Sequence, residues 1–507
     1  MMDAHENLNN DNRFLSLVWK EKRVVCICIF IALGQFQYGY DSAAVSGFQS
    51  MPGFLAVFGY VDPESPIGYN LKTSVQTLIQ SLMQLGGFVA SLFIFKFGAF
   101  ISNRVGLWTG CAFSVLAVIL QMSSIDIAAL YMGRLFLGVS NGFYLTYSAT
   151  YLGEIAPTYL RGSAVGLVTF QTSFGALIGI LIDNYTAKYD GRTSYLIPLG
   201  VMFIVPAALA IGLLFLPESP RHYTRLGSDE NAANAIRTLR GIYDEDQLAA
   251  QVATIKDAWV IENRENQSVR LIDAFRGSDL KRTILSLCCS ISQTASGVIF
   301  FASYSIYFYA QAGVKNEFVW VMMSLAIALT GNMGAFIVMK FVERRTLLGV
   351  SSIINSAIMF VIAGVYTRLS DGSYTAAQTL VAMGTLFTWM YGIGQGPVLW
   401  ALTVEIPSQR LRSKTVGLAT GCNYLFAWIA TYCSPYFINP GSLNWGPKYC
   451  YIWGVSNIIL GIWAFIFVPD VGGKSLEQIT NSMITHAEVK NEESGTVVEH
   501  RRFAQSE

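Results

Sequence analysis

Residues 24–47 read VVCICIFIALGQFQYGYDSAAVSG, an apolar stretch long enough to cross a bilayer, with one carboxylate, Asp41, inside it. A charged side chain at bilayer depth costs about 3 kcal/mol on insertion scales, so acids within membrane segments mark functional sites. Similar apolar runs follow along the chain, and a few of them also contain a charge. This combination predicts a protein that moves a polar solute through a membrane.

The composition also predicts a membrane protein. The chain has 507 residues, of which 53% are hydrophobic and 13% are charged, whereas soluble domains carry about 25% charged residues. The apolar runs have the length of membrane-spanning helices and lack the alternation of transmembrane barrel strands. We therefore predict an all-α membrane protein with twelve transmembrane helices, in the runs 24–46, 74–95, 105–123, 127–149, 163–183, 196–216, 284–312, 318–340, 346–366, 377–403, 414–437 and 451–469.

A polar segment divides these runs into six and six. Residues 217–282 form this segment, and within it Asp229–Arg240 has the pattern of a surface helix. An acid, a proline and a basic residue recur at matching places in both halves, as Glu154, Pro157 and Arg161 and as Glu405, Pro407 and Arg412. Internal repeats of this kind are typical of transporters, whose site lies between the halves. The predicted domains are the tail 1–23, the bundle 24–216, the helical loop 217–282, the bundle 283–470 and the tail 471–507.

The distribution of positive charge predicts the orientation. With a cytoplasmic N-terminus, 27 of the 34 Lys and Arg residues fall inside and six outside, while Arg134 lies within a helix. This asymmetry is what the positive-inside rule expects, so both termini are predicted to be cytoplasmic in a multi-pass protein, which we assign to the plasma membrane. Asn184 begins a glycosylation sequon on a loop predicted to lie outside.

Asp41 and Arg134 are ionisable groups in two helices of one bundle. An adjacent arginine favours the ionised carboxylate, and burial without the arginine favours the protonated acid. A carboxyl group that alternates between these environments can bind a proton on one side of the membrane and release it on the other. The alternatives are a static ion pair that holds the bundle together, or a facilitator that keeps the pair without coupling.

Several motifs together resemble the sugar porters of the major facilitator superfamily, especially fungal ones. They include GYD at 39–41, YLGEIAPTYLRG at 151–162, PESPR at 217–221, GPVLW at 396–400 and PDVGGKSLE at 469–477. The stretches at 304–313 and 410–415 are most similar to the α-glucoside permease branch, close to the hexose permeases. The resemblance covers residues 20–475 and implies the major facilitator fold of two six-helix bundles.

The resemblance also implies roles for individual residues. Asp41 and Arg134 match the proton-coupling pair of proton-linked sugar porters. Charged residues at helix ends match an ion network that latches one conformation; they are Glu154, Arg161, Arg104, Glu405, Arg412 and Arg344. The alternative for these residues is an ordinary solvated face. The motif after the second run departs from the family, because Leu107 and Trp108 replace the usual paired basic residues.

A sugar site needs amides and hydroxyls for the sugar hydroxyl groups and an aromatic face for the ring. The positions that the family implies are Gln293, Trp400, Asn423 and Tyr424, and Tyr38 lies one turn from Asp41. Trp400 could instead be a core aromatic residue. Thr169 and Thr294 stand where the family usually has glutamine, and Ile299 where it has asparagine. The predicted site is therefore less polar than a typical hexose site.

The resulting expectation is proton-coupled symport of a sugar or sugar-like solute by alternating access. The alternatives are a porter for a non-sugar metabolite, such as a polyol, a cyclic polyol acid or a fungal secondary product, and a sugar uniporter or sensor. No phosphate-binding loop, nucleophile elbow or His/Cys cluster points to an enzyme. The expected partners are the solute, the proton as coupling ion and the lipid bilayer. We expect a monomer without cofactor, metal or nucleic acid.

Overall fold

In the computed structural model, every one of the twelve apolar runs lies in a helix or a helix with a short break, numbered α1 to α12 along the chain. The structure describes residues 21–63, 68–156, 161–241, 244–267, 271–369, 374–408 and 411–469. The predicted tails therefore lie almost wholly outside the described residues. The bounds are α1 (Lys22–Ile31 and Leu33–Phe48), α2 (Thr73–Phe97), α3 (Asn103–Ser123), α4 (Ile127–Ile155), α5 (Arg161–Thr186), α6 (Thr193–Val201 and Ile204–Phe215), α7 (Gly277–Ala295 and Val298–Gln311), α8 (Glu317–Phe341), α9 (Arg344–Arg368), α10 (Tyr374–Met390, Tyr391–Gln395 and Gly396–Glu405), α11 (Arg412–Ile438) and α12 (Cys450–Phe467).

Three of the twelve helices differ from the others in length or composition. Within the described residues, nine are long and apolar enough to cross a membrane on length and composition alone, and α4, α10 and α11 are not among them. In α4 the polar side chains are buried, including Arg134, Ser140, Asn141 and Ser148. The buried hydroxyl and amide groups of α4 therefore face other helices instead of lipid, and α10 is divided by its π turn into segments of 17, 5 and 10 residues.

Proline and glycine account for three interruptions within the helices. Pro206 has no N–H, and its ring clashes with the carbonyl of residue 202, where α6 is broken. The ring of Pro397 likewise clashes with the carbonyl of Ile393. Ile393 lies in a π-helical turn at Tyr391–Gln395 in α10. Gly297 adopts a left-handed conformation with φ of 87° at the break in α7. Discontinuous helices of this kind are common around transporter sites.

Short elements connect the helices at both ends of the bundle. Pro52–Phe58 is a helix, and strands β1 (Tyr60–Val61) and β2 (Tyr69–Asn70) pair antiparallel. The helix predicted at Asp229–Arg240 is present with these bounds, between helices Pro220–Arg225 and Glu245–Gln267. Short 3₁₀ turns complete the structure at Gly98–Phe100, Leu271–Phe275 and Gly446–Tyr449.

We call the end of the bundle that carries residues 217–282 the loop face, and the opposite end the distal face. The start of α3 and the end of α4 adjoin this loop. Arg240 donates a hydrogen bond to the carbonyl of Ile155 at 3.2 Å, and the backbone N–H of Arg104 donates to Glu218 at 3.1 Å. Because successive helices run in opposite directions, α2 and α8 begin at the distal face.

Glycines bring helix backbones into direct contact within the N-terminal half. A Cβ at Gly39 of α1 would overlap the carbonyl oxygen of Thr172 of α5, and a Cβ at Gly138 of α4 would overlap the carbonyl oxygen of Met83 of α2. Because these neighbours are backbone atoms, no side-chain rotation can make room. The pairs α1–α5 and α2–α4 are therefore packed at the closest possible spacing.

Buried polar residues join the two halves at the distal face. Asn439, directly after α11, donates to the Gln76 side chain at 2.7 Å and to Thr73 at 3.2 Å. Gln80 donates to the carbonyl of Ser303 in α7 at 3.0 Å, and Thr77 donates to the carbonyl of Tyr432 in α11 at 3.3 Å. We call Thr73, Gln76, Thr77, Gln80 and Asn439 the distal cluster. It holds the distal ends of the halves together.

Candidate functional site

An ion pair lies in the centre of the N-terminal half. The Nη1 atom of Arg134 in α4 is 2.6 Å from Oδ1 of Asp41 in α1, and both side chains are fully buried. Arg134 also donates to the carbonyl of Ile79 in α2 at 2.8 Å. The second carboxylate oxygen of Asp41, Oδ2, accepts no hydrogen bond from the described residues. The pair joins three helices and leaves one carboxylate oxygen available.

Three tyrosines from the two halves lie close to one another between the halves. Tyr38, one turn before Asp41, interacts with the side chain of Gln84 and lies within electrostatic range of Asp41. Tyr391 from the π turn of α10 and Tyr424 of α11 lie within range of Tyr38. The Tyr424 ring packs against Gly87, where a Cβ would lie 2.5 Å from Cε1. These contacts bring together tyrosines from α1, α10 and α11, which we call the central group, and its member Tyr38 lies near Asp41.

Amide and hydroxyl groups lie on the C-terminal side of this centre. The Thr294 hydroxyl donates to Oδ1 of Asn423 at 3.1 Å, which joins α7 to α11. Gln293 is 6% exposed, and its Nε2 atom has no hydrogen-bond partner among the described residues. An unpaired buried amide is costly, so a donor in this position is suited to a ligand hydroxyl. The structure therefore joins two of the predicted site residues, Thr294 and Asn423, and Gln293 precedes Thr294 in α7.

The other two predicted binding positions, Thr169 and Trp400, are half-buried. Thr169 lies one helical turn before Ser173, whose hydroxyl accepts a 2.7 Å hydrogen bond from Asn332 of α8. Thr169 is thus on the side of α5 that faces the C-terminal half. Trp400 lies in the last segment of α10, after the π turn.

The predicted charged residues of the N-terminal half form contacts at the loop face. Asn103 donates to Glu154 at 2.7 Å, and Glu154 also interacts with Ser219 and Arg221. Arg104 donates from its guanidinium to the carbonyl of Leu213 at 2.8 Å. These contacts connect the start of α3 and the end of α4 to the first residues of the loop. The side chain of Arg161 lies outside the described residues.

The corresponding residues of the C-terminal half are only partly joined. Arg344 at the start of α9 forms an ion pair with Glu405 at the end of α10. Arg412 is half-buried, and its Nε and Nη2 atoms have no hydrogen-bond partner among the described residues. Among the described residues, Glu154 and Arg104 make their contacts within the N-terminal half, Arg344 and Glu405 pair within the C-terminal half, and Arg412 has no bond to that pair. Their role in gating stays a prediction.

Asn184 lies in the last turn of α5 and is half-buried. Thr186, the third residue of the sequon, is 4% exposed. The folded chain thus presents this sequon only in part, and its glycosylation stays a prediction.

The structure also shows polar residues that sequence reasoning missed. Gln395 in the π turn accepts from Asn355 at 2.8 Å and donates to Asn457 at 2.7 Å. This amide group links α9, α10 and α12 within the C-terminal half. Gln84 and Tyr391 at the centre were also missed. An amide in the middle of an apolar run is the signal that could have identified Gln84, Asn355 and Asn457.

A cavity of about 300 Å³ opens at the distal face, beside the distal cluster. Its lining contains none of the predicted site residues and consists of Tyr60, Asn70, Leu71, Lys72, Thr73, Asn439 and Gly441. In the part of the chain that the structure describes, no group of three or more His, Cys, Asp or Glu residues could hold a metal ion.

Comparison with known proteins identifies the family. The profile of the family described as sugar (and other) transporter matches residues 27–483. The chain belongs to this family. The major facilitator-type transporter ecdD of Aspergillus rugulosus is 27% identical over 470 residues, covering 90% of this chain and 86% of that protein. The general alpha-glucoside permease of Saccharomyces cerevisiae is 24% identical, covering 98% and 81%.

A sensor and a solved transporter are also similar to the chain. The high glucose sensor RGT2 of Saccharomyces cerevisiae is 28% identical over 90% of this chain, which spans 60% of that protein. The inward open xylose transporter XylE from E. coli has the same fold, with a TM-score of 0.72 and 19% identity over 90% of this chain and 99% of that one.

These findings confirm the predicted fold class and family. The chain is a multi-pass membrane protein with the major facilitator fold, and it is a transporter of the sugar-porter family and not an enzyme.

Proposed function

We propose that this transporter is a symporter that couples proton movement to uptake of a sugar or sugar-like small solute by alternating access. The proposal places the loop face and both termini in the cytoplasm and the protein in the plasma membrane. The observation that carries it is the buried Asp41–Arg134 pair, one turn from Tyr38 in the central group.

The ion pair offers a chemical basis for coupling. While Arg134 lies 2.6 Å from Asp41, the carboxylate is stabilised in its ionised form. If the pair separates within the same buried environment, desolvation favours the protonated acid. The free Oδ2 atom of Asp41 is the position at which a proton can bind. Because Tyr38 interacts with both Asp41 and the central group, a solute at the centre can sense the state of the pair.

The composition of the centre supports a sugar-like solute. Tyr38, Tyr391 and Tyr424 offer aromatic surface for the C–H face of a ring, and Gln293 and Asn423 offer amides for hydroxyl groups. Threonine at 169 and 294 supplies fewer hydrogen bonds than glutamine would. We therefore propose a solute other than a free hexose, such as a disaccharide, a polyol or a less polar small metabolite. XylE, whose fold the chain shares, is described as a proton:xylose symporter.

The test is uptake by the purified protein in liposomes. A panel of radiolabelled monosaccharides, disaccharides, polyols and cyclic polyol acids is offered with and without an inward proton gradient. We expect accumulation of at least one uncharged solute above its external concentration, only with the gradient. Uptake that equilibrates at the same rate with or without the gradient indicates a uniporter, and no uptake of any solute indicates a sensor or a different substrate class.

The coupling role is tested with Asp41→Asn. This variant should lose accumulation driven by the proton gradient and retain measurable exchange of solute between the two sides. Asp229→Asn is a matched control, because Asp229 is a half-exposed residue of the loop that pairs with Lys256 at 2.6 Å; it should transport normally. Equal loss of accumulation and exchange in Asp41→Asn would mean that Asp41 has a structural role only.

A further inference from the structure

A second carboxyl group, that of Asp183, is buried in the membrane region and has no hydrogen-bond partner among the described residues. Asp183 lies one turn from the end of α5 at the distal face, and its side chain is fully buried. Neither of its carboxylate oxygens accepts a hydrogen bond from the described residues. Isolated ionised carboxylates are not stable in such surroundings and are neutralised by a proton instead. Asp41, by contrast, has Arg134.

Asp183 lies where both halves meet. A Cβ at Gly47 of α1 would overlap its Oδ2 atom and would lie 3.2 Å from the ring of Phe318 in α8. Phe318 is 8% exposed and belongs to the C-terminal half. The carboxyl group is therefore enclosed between α1, α5 and α8, and it remains buried only while α8 stays packed against the N-terminal half.

The charged and titratable groups on the segments around Asp183 either contact other residues or, among the described residues, form no ion pair with it. In α1, the Tyr40 hydroxyl lies within electrostatic range of Asp183 but donates to the carbonyl of Pro198 at 3.0 Å, and Asp41 pairs with Arg134. In α6 and the turn before it, Arg192 donates to Tyr195 at 2.9 Å and to the carbonyl of Ser124 at 2.7 Å. The remaining groups on neighbouring segments are Lys188, over the Tyr185 ring, Glu317 and Lys315 at the start of α8, and Tyr304, Tyr307 and Tyr309 of α7. Among the described residues, no cation forms an ion pair with Asp183.

We propose that Asp183 is a second proton-binding site, which holds a proton while the distal face is closed and releases it to the distal side when that face opens. Opening moves α8 away from α1 and α5 and lets water reach the carboxyl group, which favours ionisation. The reverse holds by linkage. Acidification on the distal side favours the closed distal face, and a rise in pH favours the open one. This inference rests on alternating access in the proposed function, and it assigns the external pH response to Asp183.

The first test measures opening of the distal face. Nitroxide labels on cysteines introduced at Asp190 and Arg368, exposed residues at the distal ends of the two halves, report the distance between them by pulsed electron resonance in nanodiscs. In the otherwise unaltered protein, the long-distance population should grow as pH rises from about 5 to 8. Asp183→Asn should keep the distal face closed and remove this pH dependence. Glu317→Gln, a change at a nearby half-buried acid, is the matched control and should retain it.

The second test measures folding. If Asp183 carries a proton, Asp183→Asn keeps a neutral side chain of the same size, so the melting temperature at pH 7 should not fall. A large fall would reveal an ionised carboxylate with a partner and would overturn the proposal, as would an Asp183→Asn protein whose distal distances still follow pH. Asp183→Leu also removes the titratable group but has a different shape and polarity from Asn. It should lose the pH response as well, which would assign that response to the carboxyl group.

These tests distinguish failure of the second proton site from failure of the proposed symport. If Asp41→Asn abolishes accumulation but its distal distances still respond to pH, both proposals hold. If the unaltered protein moves no solute but shows the Asp183-dependent opening, the proposed symport fails and the second proton site stands. If transport is proton-driven and Asp183→Asn changes neither opening nor its pH dependence, the second site is wrong and symport stands.

Discussion

Asn439→Ala should shift the conformational balance of the transporter toward an open distal face. In the structure Asn439 donates to Gln76 at 2.7 Å and to Thr73 at 3.2 Å, and it is 3% exposed. Both partners belong to α2, in the other half. The substitution removes two hydrogen bonds and leaves the buried carbonyl oxygen of Gln76 without this donor. Together these losses amount to about 2 to 4 kcal/mol.

This cost applies only to the conformation in which the halves touch at the distal face. The ratio of closed to open molecules should therefore fall by about 30- to 700-fold, because each 1.4 kcal/mol is a factor of ten. The assay is the distance distribution between labels at Asp190 and Arg368, recorded without solute at a fixed pH. A population with a longer distance should become dominant.

Asn457→Ala is the matched control for this experiment. Asn457 is also a buried asparagine with several hydrogen bonds, including those to the carbonyls of Ser296 and Trp453 at 2.9 and 2.8 Å, but these partners lie in its own half. This variant should lower the melting temperature and leave the distance distribution unchanged. The reasoning is refuted if Asn439→Ala keeps the closed distribution, or if both variants open the distal face equally.

Three further predictions concern single side chains. Gly39→Ala should prevent accumulation of folded protein in fluorescence-detected size exclusion, because the new methyl group overlaps a backbone carbonyl of α5, whereas Gly153→Ala meets no neighbour within 4 Å and should be neutral. Asn423→Ala should raise the dissociation constant for solute, measured by isothermal titration, more than Gln171→Ala does. Gln171 lies two residues from Thr169, a rotation of about 200° around α5, so it points away from the predicted site; the opposite order would contradict this assignment of helix faces. Gly297→Ala should lower stability by about 1 to 2 kcal/mol through its left-handed conformation, which thermal unfolding would detect.

The sequence predicted the parts of the fold that depend on local pattern. Apolar runs of about 20 residues correspond to the twelve helices, and the polar segment Asp229–Arg240 to a loop helix with the same bounds. The π turn of α10 was not predicted, although Pro397 is its cause, because the same proline could also end a helix or kink it. The choice among these depends on packing against neighbouring helices.

In the candidate site, the types of residue could be predicted from the sequence, but most of the contacts between them could not. Asp41 and Arg134 were candidates for a pair because both are ionisable groups within apolar runs of one bundle and match the coupling pair of the family, and the structure joins them directly. Thr294 and Asn423 lie 129 residues apart and meet through one hydrogen bond. The distal cluster was not predicted, because threonines and glutamines near helix ends are common. Only the relative position of the two halves shows that these residues meet.

The close backbone contacts at Gly39 and Gly138 constrain how the buried pair can separate. They fix α1 to α5 and α2 to α4, so neither helix of a pair can slide past its mate without first moving apart from it. Asp41 belongs to the first pair and Arg134 to the second, so the ion pair is a joint between two rigid two-helix units. Protonation of Asp41 would loosen this joint and let one unit shift against the other while each keeps its internal packing.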